Sequence, residues 1–122
     1  MIWNLEEPMV VQAPSDIKIK ITEIRDAHDN VVDMQRVYIM FVFADPRNNE
    51  YRAVYDPNGV NTLNTKYDGT EGVLKIMIQN YGCLRGQLTV KVGTKSVDED
   101  FTDEMWDWWN KRENSKITIE GC

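Results

Sequence analysis

Carboxylates and tryptophans are concentrated in residues 98–113, DEDFTDEMWDWWNKRE, which hold seven acidic residues and three of the four tryptophans of the chain. Paired carboxylates can do general acid–base chemistry, as in glycoside hydrolysis. Tryptophans can stack on sugar rings or anchor a protein contact, because one rigid side chain buries much area at little entropic cost. Acids on a solvated face account for these carboxylates without a catalytic pair. The segment therefore favours a binding surface over a catalytic site.

Two other groups of residues could do chemistry, and each has a simpler explanation. Residues 56–61, DPNGVN, resemble the start of a calcium loop, but the glycine is misplaced and Tyr67 stands where an EF-hand needs glutamate. An ordinary β-turn explains them better. The one histidine, His28, lies in a polar turn with no serine or cysteine close to it in sequence. We therefore expect no enzyme, no catalytic residue, no metal and no cofactor.

The two cysteines, Cys83 and Cys122, lie far apart in sequence, whereas a structural zinc site usually draws four Cys or His ligands at close spacing. Two free thiols suit a reducing compartment, and a disulfide between them is the alternative. No apolar run approaches the ~20 residues that span a bilayer. The start of the sequence also lacks the charged and apolar regions of a signal peptide. We expect a protein that is made in the cytoplasm and used without secretion or membrane insertion.

The charge balance argues against nucleic acid as the main partner. Twenty acidic and 14 basic residues give a net charge of -6 at pH 7, and the basic residues are scattered along the sequence. Phosphate binding needs clustered lysine and arginine. A chain of 122 residues with 42% hydrophobic content is long enough for one core but not for two.

Alternating apolar residues predict an all-β domain. Ile17, Ile19 and Ile21 alternate with polar residues, which is typical of a half-buried strand. Residues 37–43, VYIMFVF, are apolar on both faces and predict a central strand that is covered on each side.

Short strands recur along the rest of the sequence, with Gly, Asn and Pro in the turns. They are predicted at residues 51–55, 73–78, 87–92 and 117–120, with a weak edge strand at 60–67. The strand at 87–92 is expected to return as the hairpin partner of 73–78. This spacing indicates an antiparallel, immunoglobulin-like β-sandwich of about seven strands. The predicted core comprises Ile19, Ile21, Val37, Ile39, Phe41, Ile76, Ile78, Leu88, Val90 and Ile117.

The first 15 residues predict an N-terminal arm, and residues 16–122 the sandwich domain. Pro8 and Pro14 interrupt the arm and prevent it from joining a regular central strand. We expect it to lie across a neighbouring subunit or partner, or to be disordered in the isolated protein. Its candidate contact residues are Trp3, Met9, Val10 and Val11.

A short helix is predicted at residues 101–112. At ~100° per residue, one arc of that helix contains Phe101, Met105, Trp108 and Trp109, which would dock on the sandwich. Trp106 lies off the arc and is expected to face outward, with Asp103 and Asp107 in its polar rim. These three residues are the predicted interface, and Trp106→Ala should change stability by no more than about 1 kcal/mol.

A family resemblance extends over roughly residues 16–120. It rests on the order IKIKITEI, a turn at residues 29–33, VYIMFVF, YRAVYD, GVLKIMIQNYGCLRGQLTVKV, the acidic DEDFTDE and a final KITIE. This order resembles the N-terminal β-sandwich domain of phage upper-baseplate and tail proteins of the receptor-binding apparatus, which ends in a similar passage. Two departures are the tryptophan-rich segment and the absence of a long C-terminal fibre or receptor-binding region.

The resemblance implies a structural adaptor of the virion, in the baseplate, tail or fibre. Such a protein is not an enzyme and docks on other virion proteins or on itself, so a homo-oligomer is expected. The alternative is a carbohydrate- or ligand-binding module, in which exposed tryptophans stack on sugar rings. A coplanar, exposed pair of Trp106 with Trp108 or Trp109 would favour sugar, and an exposed apolar arm would favour assembly.

Overall fold

The computed structural model describes residues 8–13, 15–22, 24–25, 28–79, 84–97, 106–108 and 112–121. This part of the chain forms nine strands and no helix. The strands are β1 (Met9–Gln12), β2 (Ile17–Ile21), β3 (Val37–Ala44), β4 (Glu50–Tyr55), β5 (Thr65–Asp68), β6 (Val73–Ile78), β7 (Gly86–Ser96), β8 (Asp107–Trp108) and β9 (Glu113–Glu120). Within the same ranges, no helix could cross a membrane.

The strands form two sheets. The six-stranded sheet has the order β1-β9-β7-β3-β4, with β8 also paired to β7, and the three-stranded sheet has the order β2-β6-β5. One edge of the long strand β7 is shared, because β9 pairs with its first half and β8 pairs with Gly93 and Thr94 in its second half. The strands β8 and β9 are therefore two pieces of one interrupted neighbour of β7.

One apolar core lies between the two sheets. The isoleucines of β2 face it while the lysines between them are exposed, as the alternation predicts. From the six-stranded sheet, Ile39, Phe41 and Phe43 enter the same core. Of the ten predicted core residues, nine are buried and Val37 is half-buried against them.

The strand β3 is central and covered on both faces, which confirms the prediction from residues 37–43. It pairs with β4 on one side and β7 on the other. Its even-numbered side chains, Tyr38, Met40 and Val42, form a second buried cluster on the outer face of the six-stranded sheet.

Three topological expectations are wrong. Residues 107 and 108, placed in a helix by the sequence, form strand β8. The hairpin between 73–78 and 87–92 does not form, because β6 lies in the three-stranded sheet and β7 in the six-stranded one. The sheets are also not wholly antiparallel, since β1 pairs with β9 in parallel.

Candidate functional site

Trp106 is buried, not exposed as the sequence predicted. Only 7% of its surface is accessible, and it packs in the second cluster with Tyr38, Met40, Val42 and Val54. In strand geometry Trp106 and Trp108 point to the same side, because side chains two apart share a face. A helical spacing separates the two side chains, and for that reason it predicts that Trp106 faces outward.

Trp108 lies beside Trp106 and is half-buried. The two ring centroids are 6.2 Å apart and the planes are tilted by 31°. A Cβ built on Gly93 would stand 2.7 Å from Cε3 of Trp108, so the ring lies directly on the glycine backbone. Nζ of Lys91 lies 3.9 Å from the centroid of the same ring, a cation–π contact. The two rings cover the sheet face and do not form an exposed flat platform.

The predicted rim around Trp106 is only partly described. Asp107 is exposed and pairs with Thr94 through β8. The structure describes only residues 106–108 and 112 of the predicted helix. Asp103, Trp109 and Trp3 lie outside the described residues. Asp107 is therefore accessible for contact, but it borders a buried tryptophan and not an exposed anchor.

The predicted arm contains an edge strand of the six-stranded sheet. Met9 pairs with Ile117 and Val11 with Ile119, and Val11 packs against the main core. Residues 9–12 therefore belong to the sheet, which corrects the prediction of a separate arm. Pro8 immediately precedes the strand, which is compatible with an edge position, where a missing N–H is tolerated.

The far edge of β1 pairs with no described strand and is accessible. Val10 is 59% exposed on this strand. A groove of about 670 Å³ runs beside it, lined by Met9, Val10, Val11, Gln12, Ser15, Asp16 and Lys18. Three of the predicted interface residues therefore lie together at one open sheet edge.

The turn carboxylates are already occupied by hydrogen bonds. Asp56 is buried, and its oxygens accept from the backbone N–H groups of Asn58 and Asn61 and from the Asn61 side chain. N–H groups directed at a carboxylate take the positions that a cation would need. This supports a β-turn over a calcium loop at residues 56–61.

Asp45 has the same role in the turn between β3 and β4. Burial alone would raise the pKa of this carboxyl, but hydrogen bonds from the Asn49 side chain and from the backbone N–H groups of Asn49, Arg47 and Arg85 outweigh it, so the pKa lies below its usual value. The carboxylate of Asp45 is thus a structural group that holds the turn.

The remaining candidates for chemistry stay apart. His28 is exposed in its turn, and both cysteines lie outside the described residues. Within the residues that the structure describes, no three His, Cys, Asp or Glu side chains come together as a metal site.

Four lysines that are scattered in sequence gather on the outer face of the three-stranded sheet. Lys20 lies directly opposite Lys75, which lies directly opposite Lys66, so three lysines form a row across the three strands. Lys18 stands two residues from Lys20 on the same side of β2. We call Lys18, Lys20, Lys66, Lys75 and the 43% exposed Met77 the lysine face.

A count of basic residues along the chain does not predict the lysine face. The alternation in IKIKI and VLKIMI already places three of the four lysines, Lys18, Lys20 and Lys75, on outer faces. The register between strands, which turns them into a row, is visible only in the structure.

The chain matches no protein-family model and no curated protein.

Proposed function

We propose that this chain is a non-enzymatic assembly component, an immunoglobulin-like β-sandwich that docks through protein–protein contacts in the baseplate or tail of a phage virion. The open edge of β1, with the exposed Val10 and the groove beside it, is the observation that carries the proposal. The resemblance of the sequence to upper-baseplate and tail proteins is the reason for proposing a phage virion as the assembly.

An open strand edge suits docking because its N–H and C=O groups can pair with a strand of another protein. The strand β1 spans only Met9–Gln12, so backbone pairing alone gives a short ladder. The groove adds apolar contact through Met9 and Val10, and polar contact through Asp16 and Lys18. A strand of a neighbouring virion protein fits this combination of backbone, apolar and polar groups.

Carbohydrate binding is the second candidate, and it has less support. Sugar rings stack on exposed aromatic faces, whereas Trp106 is buried and Trp108 lies on Gly93. The aromatic residues of this face contribute to packing, and the accessible apolar groups lie at the β1 edge instead.

Mass spectrometry of particles purified from a lysate of the encoding phage tests the proposal. The protein should be present in a fixed number of copies per particle. When the gene is supplied in trans, Val10→Lys should reduce incorporation, because a lysine on an edge strand opposes strand addition. Val60→Lys, at an exposed turn residue far from β1 in sequence, should not.

Particles that lack the protein would overturn the proposal. Equal incorporation of the Val10→Lys and Val60→Lys variants would remove the β1 edge from it. Binding of the purified chain to a glycan array, lost on Trp108→Ala, would favour the sugar-binding alternative.

A further inference from the structure

We infer that the lysine face binds the acidic segment, residues 98–107, of a second copy of this chain. The inference deepens the proposed function by naming the partner of one surface. Of the lysine face, only Lys18 also borders the groove beside β1. The first support is the electrostatic repulsion within the row of lysines. Like charges directly opposite each other in a sheet destabilise it, and Lys75 has such a neighbour on both sides, Lys20 and Lys66.

The described residues do not neutralise the row. None of the four lysines forms an ion pair with a described carboxylate. Asp68, at the end of β5, accepts hydrogen bonds from the N–H groups of Thr70 and Glu71 in its own turn. In a chain with a net charge of -6, four lysines on one face are a strong local reversal of sign. Such a surface attracts an acidic partner.

The same chain contains a segment with enough acidic residues to neutralise the row of lysines. Residues 98–107, DEDFTDEMWD, hold six acidic residues out of ten. The segment also carries Phe101 and Met105 as apolar side chains. The lysine face offers matching hollows on either side of Met77, of about 370 Å³ and 450 Å³, and both are bordered by Lys75.

The position of the segment favours contact between two copies over contact within one. Val97 and Trp106, the described residues on either side of 98–105, both pack on the outer face of the six-stranded sheet. The lysine face lies on the opposite side of the molecule, beyond a second sheet that packs about 10 Å away. The nine Cα steps between Val97 and Trp106 total roughly 30 Å, so the chain travels at most about 15 Å outward before it must return.

A contact between two different faces is heterologous, so each copy can bind two neighbours. Such contacts produce a ring if the rotation closes and a filament if it does not. Salt should weaken the contact, because it is carried by exposed charges.

Sedimentation of the purified full chain tests the inference. The chain should self-associate with rising concentration in 50 mM salt and dissociate in 500 mM salt, with a change in dissociation constant of at least about tenfold. A chain that stays monomeric in low salt at several hundred micromolar would overturn the inference.

The variant Lys75→Glu separates binding from folding. It places an acid between Lys20 and Lys66, so the denaturation midpoint should rise while self-association falls at least about tenfold. Arg36→Glu makes the same charge change at an exposed residue outside this face and is the matched control. It should keep self-association. Equal loss in both variants, or no loss in Lys75→Glu, would overturn the inference.

Mixing experiments identify the occupant. A variant with Asp98→Lys and Asp100→Lys keeps the lysine face but has fewer acidic residues in the segment. The Lys75→Glu variant keeps the acidic segment but has an altered lysine face. Each should be monomeric alone, and the mixture should form a one-to-one heterodimer. If the double-lysine variant still self-associates, or if the wild-type face binds only single-stranded DNA or heparin, the acidic segment is not the occupant. These measurements use purified protein, so their result is independent of incorporation into particles.

Discussion

At the scale of single residues, the position of Trp106 depends on the periodicity that is assumed for its segment. A helical period predicts an exposed contact residue, whereas the strand period of the structure gives a buried one. Trp106 packs against Tyr38 and Met40 on the outer face of the six-stranded sheet. We expect Trp106→Ala to cost about 3–5 kcal/mol of unfolding free energy, because a large buried side chain is removed and a cavity is left. Urea denaturation measures this loss. Trp108→Ala, at a half-buried position, should cost less, and an unchanged midpoint in Trp106→Ala would place the side chain outside the core.

Gly93 is required by the ring that lies on it. Its φ is not in the left-handed region, so alanine can adopt the backbone, but the new Cβ would stand 2.7 Å from Trp108. We expect Gly93→Ala to displace the indole, change the near-UV circular dichroism and cost about 1–3 kcal/mol by overpacking. Gly69→Ala is the control, because its Cβ would meet Tyr67 at an ordinary 3.6 Å. A Gly93→Ala spectrum that matches the wild type would show that the ring is not confined there.

Asp45 links the stability of one turn to pH. Its pKa is lowered in the folded state from the usual 3.8, so its charge stabilises the fold above that value. This contribution is lost as the pH falls through the lower folded pKa. Asp45→Asn should cost about 1–3 kcal/mol at pH 7, because the acceptor of several N–H groups is weakened.

The difference between wild type and Asp45→Asn should shrink as the pH falls from 4 to 2, since the wild-type carboxyl then takes up a proton. Denaturation curves across that range measure it, and Asp16→Asn removes an exposed carboxylate as the control. A constant difference from pH 7 to pH 2 would contradict the stabilising role of the charge.

At the scale of elements, β1 is part of the fold as well as the proposed docking edge. Deleting residues 1–12 removes the partner of β9 and the packing of Val11 against the core. We expect a loss of about 1–3 kcal/mol and a tendency to aggregate, because the edge of β9 becomes exposed. Deletion of residues 1–7 alone keeps β1 and is the control. Two truncations of equal stability would show that β1 contributes nothing to the domain.

The strands with clear alternation were predictable, and their pairing was not. The alternation in β2 and the apolar run of β3 indicate which faces are buried, because successive side chains of a strand point to opposite faces of the sheet. The exchange of sheets between β6 and β7 depends on packing between distant parts of the chain. The sequence between the two strands, with Gly82 and Gly86, is nevertheless typical of a hairpin turn. For the same reason the sequence indicated which residues of β1 are apolar, but not that they line an open edge.

The break in the ladder between β7 and β9 is another feature that only the structure reveals. Between Gln87 and Thr89 the register shifts, and the buried Ser115 donates its hydroxyl to the Leu88 carbonyl at 2.7 Å. The same hydroxyl oxygen accepts the N–H of Ile117. The serine side chain thus replaces ladder bonds that the bulge would otherwise leave unmade.

At the scale of the whole molecule, the two outer faces differ in kind. The outer face of the six-stranded sheet is covered by the second cluster, whose members include Trp106 and the partly buried Val97 and Trp108. The outer face of the three-stranded sheet is open and carries Lys18, Lys20, Lys66 and Lys75 around Met77. The lysine face and the open edge of β1 meet at Lys18 and are two surfaces that the proposed assembly role would use.

The parallel pairing of β1 with β9 also sets the order in which the domain can be completed. Met9 pairs with Ile117, so β1 waits for a strand that is synthesised more than a hundred residues later. A nascent chain that has emerged only as far as residue 112 contains every described strand but β9. The first half of β7 then pairs with β3 on one edge and with no strand on the other. Proteins dominated by such distant pairing fold in roughly milliseconds to seconds. In this chain an unpaired, aggregation-prone strand edge stays exposed on the ribosome until β9 is synthesised.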